Sequence, residues 1–212
     1  LGTGGDSALA RAAVESDNDE LTEIVRGTDL VFVVAGMGGG TGTGAAPFLA
    51  NLAKEAGALV VGVAATPFEC EGIQRCNQAT GGLRDLKQVA DVVFHFPNQD
   101  VILMEGPDIA LHQALEIANR HLCEAVLGVS RMLLEPGMLN VSFADLQASV
   151  RDRHSLGSVV HVEASGEDRA DDAVRKLLAH PAARGGETLK EASSLLVHLS
   201  GGDVTMAEMN AV

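Results

Sequence analysis

The stretch that most restricts what this chain can become is Ala35-Gly36-Met37-Gly38-Gly39-Gly40-Thr41-Gly42-Thr43-Gly44-Ala45-Ala46-Pro47. Residues 29–34 before it are apolar and rich in β-branched side chains, which reads as a buried strand. Residues 48–55 after it carry apolar positions at helical spacing. A strand, a glycine loop and a helix in that order present backbone N–H groups and a positive helix end to an anion. The glycines are expected to supply positive φ and close backbone approach. Thr41 and Thr43 are expected to offer hydroxyls to phosphate oxygens. The run is neither of two common phosphate signatures. No G-x-G-x-x-G register fits it, and Lys54 lies too far on to serve as the lysine of a P-loop. Phosphates would therefore be held by amides and threonines alone. A plain flexible turn explains the run less well, because a turn needs fewer glycines.

Around this loop the chain reads as alternating strands and helices, hence an α/β fold with a mainly parallel, Rossmann-like sheet. A helix over 8–25, capped by Asp6 or Ser7, precedes the first strand at 30–34. A second strand at 59–64, a polar helix at 73–89 and a third strand at 92–96 follow. Residues 108–134 form one long helix with an apolar stripe, broken by Pro136-Gly137. A short helix at 143–150 follows. Beyond a boundary near 155–157, strands at 159–163 and 195–199 flank a helix at 168–178. Of 212 residues, 46% are hydrophobic and 24 are glycine, with six Phe and neither Trp nor Tyr. The core must then be built from Ala, Val and Leu packed close to a sheet. A net charge of −14 argues against nucleic-acid and anionic-membrane binding. No apolar run reaches the ~20 residues of a membrane span. Three cysteines without a CxxC pair point to a reducing, cytoplasmic setting. The N-terminal segment has no signal-peptide pattern, and its lack of an initiator Met suggests a segment of a longer protein.

The run Gly-Gly-Gly-Thr-Gly-Thr-Gly with its flanks Val33-Val34-Ala35-Gly36-Met37 and Ala45-Ala46-Pro47 resembles the signature of the tubulin/FtsZ family of GTPases, in its bacterial cell-division branch. The resemblance covers nearly the whole chain in order. It implies a nucleotide-binding domain (1–107), a long central helix (108–135), a catalytic loop and short helix (136–154) and a partial second α+β domain (155–212). It also implies that the family's first strand and first glycine loop precede Leu1, and that its second domain continues past Val212. Leu1-Gly2-Thr3-Gly4-Gly5-Asp6 looks like the family's third nucleotide loop, which makes Thr3, Gly4 and Gly5 phosphate-side residues beside Gly38, Gly39, Gly40, Thr41, Gly42, Thr43 and Gly44.

Spacing alone makes Glu71 and Arg75 an i,i+4 ion pair. Pro67-Phe68-x-x-Glu71-Gly72-x-x-Arg75, however, resembles the family loop whose Glu and Arg reach the ribose, at the strand end where open α/β sheets bind ligands. Asn119, by itself an ordinary helix-surface residue, stands where the family reads guanine. Its amide can accept from N1–H and donate to O6. Leu115 replaces the family's stacking aromatic, which implies weaker affinity. Asn140-Val141-Ser142-Phe143-Ala144-Asp145 resembles the family's catalytic loop, with Asn140 and Asp145 kept and Ser142 in place of a first carboxylate. That loop enters the pocket of the next subunit. By residue type alone, Ser142 or Asp145 would pass for a helix cap.

The resemblance thus implies a GTP/GDP-binding, GTP-hydrolysing cytoskeletal protein with Mg²⁺ on the nucleotide. It would assemble head-to-tail with itself for bacterial division, and the full-length family meets division proteins at the membrane. The histidines show no metal-ligand spacing. A scaffold or regulator with little hydrolysis is the alternative. A third reading is an unrelated α/β enzyme holding a phosphorylated metabolite, separated from the others by competition with GTP but not ATP.

Overall fold

The computed structural model describes residues 2–135 and 141–212, so the expected helix break at Pro136-Gly137 lies outside the described residues. Among the described residues, four strands form one parallel sheet in the order β1-β2-β3-β4: Leu30–Gly36, Leu59–Thr66, Val92–Pro97 and Ser155–Gly157. The helices preceding β4 are α1 (Ser7–Ser16), α2 (Asn18–Val25), α3 (Gly40–Glu55), α4 (Ile73–Val89), α5 (Gln99–Glu105), α6 (Leu111–Leu134) and α7 (Phe143–Val150). After β4 come α8 (Arg169–Ala179), α9 (Glu187–Glu191) and α10 (Met206–Ala211).

Period-two alternation in the strands builds two cores. Val33, Ala35, Val60, Ala64 and Val93 face Ala46, Ala50, Ala53, Ala79 and Leu86 of α3 and α4. Leu59, Val61, Val63, Val92 and Phe94 face Leu122, Val126 and Val129 of α6 and Leu146 of α7. The first face is closed by alanines, which let α3 lie near the sheet, and it is dry: Ala50, Ala53, Val60 and Leu86 are 0% exposed. β1 and β4 are the two edges of the sheet, and Val34 on β1 is exposed.

Several elements differ from the sequence reading. The helix expected over 8–25 is two helices, parted at Asp17 (φ −102°, ψ 17°). Ser16 bonds back to Ala13 O at 2.6 Å, one of a Ser-Asp-Asn run whose side chains compete with helix bonds. Of the two caps expected for α1, Asp6 is the one that serves, with Oδ1 accepting from Ala8 N (2.8 Å) and Leu9 N (3.1 Å). α5 occupies residues to which the sequence reading gave no element, Gly106 (φ +91°) ends it, and the long helix expected from 108 begins at Leu111. Residues 155–157, where a boundary was expected, pair with Val92, Val93 and Phe94 as β4. The strands expected at 159–163 and 195–199 are irregular, with Leu195, Leu196, Val197 and Leu199 exposed. β-branched composition alone does not hold a strand without a neighbour to pair with. No strand occurs among the described residues after Gly157, so the α+β content expected there is helix and irregular chain.

Candidate functional site

The glycine run divides in two. Met37–Gly39 make the turn after β1, and α3 starts at Gly40, so most of the run is the first turns of a helix and not a loop. Only Gly38 in the run has positive φ (+96°), which corrects the expectation of a generally left-handed loop. The other glycines are there for closeness. A Cβ on Gly42 would lie 2.1 Å from Gly36 O, on Gly44 2.0 Å from Ser7 O, and on Gly40 2.0 Å from Thr3 Oγ1. Gly38 likewise abuts the Arg75 backbone, at 2.8 Å from Arg75 O. Gly36 and Gly39 are the exceptions, with open space where a Cβ would stand.

This packing brings the candidate phosphate groups together. Thr3 rests on Gly40, with Gly4 (φ +59°) and Gly5 (φ +88°) exposed beside it. Gln78 of α4, which sequence reasoning missed, donates to Gly5 O at 2.8 Å and to Gly39 O at 3.4 Å and so ties the two segments. Its position three residues after Arg75 on one helix face was the available signal. The amides of Gly40, Thr41 and Gly42 lack intrahelical acceptors, as first-turn amides do, and meet no other partner among the described residues. Thr41 is exposed. Thr43 is turned inward, its Oγ1 accepting from Gly38 N at 2.9 Å, so it shapes the turn. Free amides, a positive helix end and one outward hydroxyl are the groups that a phosphate chain would require, which makes this turn the candidate phosphate receptor.

Glu71 and Arg75 stand next to it. Glu71 Oε1 accepts from Phe68 N at 2.8 Å, and Oε2 lies 3.1 Å from Arg75 Nη1. The ion pair expected from spacing is thus present, and it fixes both side chains beside Gly38. On α6, Ala114 and Ala118 are buried against Phe68 and Val101, which turns Leu115 and Asn119 outward on the adjoining face.

Asp145 lies elsewhere. Ser142 caps α7: its Oγ accepts from Asp145 N at 3.2 Å, and Asp145 Oδ2 accepts from Ser142 N (2.9 Å) and Ser142 Oγ (2.6 Å). The serine hydroxyl, then its amide, hold the exposed carboxyl below the usual carboxylate range. The far end of α7 meets the residues that precede β2 and β3, through Arg151 to Gly57 O and Asp152 to Asp91. The glycine run follows the opposite end of β1. Six residue steps separate Asp145 from Arg151, about 9 Å along a helix, whereas the seven residues of β1 run for about 23 Å. Within one chain Asp145 therefore stays well short of the glycine run. Asn140 lies outside the described residues.

The family described as "Tubulin/FtsZ family, GTPase domain" matches residues 1–104. Cell division protein FtsZ 1 of Archaeoglobus fulgidus is 38% identical over 213 residues, covering 100% of this chain and 57% of its own length. Cell division protein FtsZ of Haemophilus influenzae is 38% identical over 215 residues, covering 100% of this chain and 51% of its own length. An empty FtsZ dimer from M. jannaschii superimposes with a TM-score of 0.78 at 35% identity, over 86% of this chain and 52% of that one. The chain thus spans about half the length of these relatives.

Proposed function

This chain belongs to the tubulin/FtsZ family, residues 1–104 matching its GTPase domain, and we propose that it binds GTP and hydrolyses it in head-to-tail assemblies with copies of itself, for cell division in the cytoplasm. The phosphates lie on the amides of Gly39, Gly40, Thr41 and Gly42, with Thr3, Gly4 and Gly5 closing the far side. Gly38, Thr43 and Gly44 shape that turn. Glu71 and Arg75 reach the ribose, and Asn119 pairs with the guanine edge. Asp145 of a second copy, with Asn140, positions and polarises the attacking water. The partners at the membrane are the division proteins that the full-length family meets.

One geometric feature supports this reading: the glycine run follows one end of the sheet, while α7, which carries Asp145, is tethered at the other through Arg151 and Asp152. A site needing both is completed only by a second copy, and a contact joining opposite ends is heterologous and builds open filaments. Mg²⁺ suits a receptor made of amides and hydroxyls, because it is carried by the phosphates and its own waters. Among the described residues no cluster of three or more His, Cys, Asp or Glu forms a separate cage.

A second reading is favoured by the Ser142–Asp145 box, which occupies one carboxylate oxygen where a second carboxylate would otherwise share the work. On that reading the chain is a GTP-dependent scaffold with little turnover. GTP turnover by the full-length protein, followed with filament formation as concentration rises, separates the two. A rate per subunit that climbs with assembly supports the hydrolase. GTP binding with a flat, negligible rate supports the scaffold, and no GTP binding refutes both.

A further inference from the structure

Asp91 is 0% exposed, carries a charge, and lies in neither the phosphate receptor nor the segment around Asp145. It sits between the end of α4 and the start of β3, and three donors converge on it. Val60 N reaches Oδ2 at 2.8 Å, Asp152 N reaches Oδ1 at 2.7 Å, and the Lys54 ammonium also bonds Oδ1. Lys54 Nζ reaches on to Asp152 Oδ1 at 2.7 Å. Burial alone would raise the Asp91 pKa, but the Asp152 amide, Lys54 and the Val60 amide together hold it lowered. It is a buried carboxylate whose three hydrogen-bond partners are all donors.

The two helices joined there are the two that matter for the proposed chemistry. Lys54 is in the last turn of α3, whose first turn is the phosphate receptor. Asp152 follows α7, whose first turn carries Asp145. The chain takes positive φ at Asp152 (+55°) and His154 (+47°), conformations that non-glycine residues avoid unless the surroundings impose them. Those surroundings are visible: Arg151 donates to Gly57 O at 3.1 Å, and His154 Nδ1 lies 3.0 Å from Ala90 O.

We propose that Asp91 is a positioning residue for Asp145: with Lys54 it latches the C-terminal end of α7 onto the C-terminal end of α3, and so fixes where α7 presents its carboxylate to the next copy's nucleotide. This rests on the reading of Asp145 as the water-positioning group. Only a carboxylate accepts on both oxygens. An amide at 91 would turn its NH₂ toward one of the donors, freeing either the Asp152 amide with Lys54 or the Val60 amide. Misplacing a reacting group by about 1 Å costs on the order of 100-fold in rate.

The test uses full-length protein and mixtures of variants, because the proposed site is shared between copies. Asp91→Asn should bind GTP as tightly as the parent and lose on the order of 10–100-fold in assembly-dependent turnover. Mixed with Asp145→Asn, whose glycine receptor is intact and whose α7 is defective, it should remain inactive, since both carry the same lesion. Mixed with Asn119→Leu, which is defective in the pocket but sound in α7, it should recover activity. A loss of folded protein would not distinguish the two mixtures. Rescue by Asp145→Asn would place the Asp91 defect in the pocket and overturn the proposal. Full turnover by Asp91→Asn alone, with Asp145→Asn inactive, overturns the latch while leaving Asp145 its role. Undiminished turnover by Asp145→Asn overturns both. Should Asp91→Asn fail to fold, Arg151→Ala removes the exposed tether to Gly57 O and carries the same mixtures with the same deciding outcomes.

Discussion

The same chemical change, glycine to alanine, should have opposite signs at two positions of this fold. At Gly42 a methyl would meet Gly36 O at 2.1 Å, inside the junction of α3 with the end of β1. Reaching an ordinary separation of about 3.5 Å needs a movement of more than about 1 Å. Neither partner gives easily, because Gly36 is in register with Ala65 across the sheet and α3 is pinned by Gly40 and Gly44. Overpacking of this kind costs about 1–3 kcal/mol, against a helix-propensity gain of at most about 1 kcal/mol. A clash this close takes the upper end of that cost, so the net loss should be about 2 kcal/mol, or roughly 4–8 °C in Tm for a chain of this size. At Gly81, within α4, nothing lies within 4 Å of the added methyl. Gly81→Ala should therefore stabilise by about 0.5–1 kcal/mol. Thermal denaturation without nucleotide measures both, and titration with a fluorescent GTP analogue should show weakened binding for Gly42→Ala only. If Gly42→Ala raises Tm as Gly81→Ala does, close approach is not why glycine stands at 42.

Three further outcomes can be checked. Under the proposed function, Ser142→Asp keeps a good helix cap and adds a second carboxylate, so steady-state GTP turnover should rise while Tm changes little; an unchanged rate shows that Ser142 does not limit turnover. Leu115→Phe puts an aromatic one turn before Asn119 on the exposed face, and GTP should bind more tightly by about 1–3 kcal/mol; competition titration measures it. The rings of His121 and His180 meet edge to face at 5.8 Å, and burial lowers both pKa values. Around His121, Glu124, Asp100 and Glu105 oppose that shift and Arg120 adds to it. A lowered folded pKa gives stability that is complete above the unfolded value of about 6.5 and lost as pH falls through the folded values. Protonation of His180 also removes the Nδ1 acceptor of Ala182 N (3.2 Å). Melting curves should record this acid-side loss, and His180→Asn, which keeps an acceptor without a titrating ring, should reduce it.

What could be read in advance was local. The helix over 73–89 and the one over 143–150 follow from periodicity and punctuation, and both stand at those residues. The glycine run was legible as a strand–helix junction because its composition has few other uses. Its helical start at Gly40 was not, since glycines suggest a loop unless the carbonyls of Gly36 and Ser7 pressing on them are known. β4 was hidden by its length of three residues; only the partner β3 makes Ser155–Gly157 a strand. Conversely, Leu195–Leu199 had strand composition but no partner. Asp91 was invisible in sequence, where an aspartate between a helix and a strand looks like surface. Its role depends on Lys54, Val60 and Asp152, at 37, 31 and 61 residues' separation.

The edge position of β1 has a consequence for handling the molecule. Leu30–Gly36 is seven residues of mostly apolar chain whose ladder is paired on the β2 side only among the described residues, with Val34 54% exposed. No lysine, proline or bulge blunts it, so it is open to the first strand that the family resemblance implies before Leu1 and, in the 212-residue segment by itself, to any other extended segment. Association through that edge would be indifferent to nucleotide, would strengthen with salt as the −14 charge is screened, and would scatter light as filaments do. Scattering that responds to GTP but not to GDP belongs to the ordered assembly; in the 212-residue segment by itself, scattering that grows with salt and ignores nucleotide is what pairing at β1 would give.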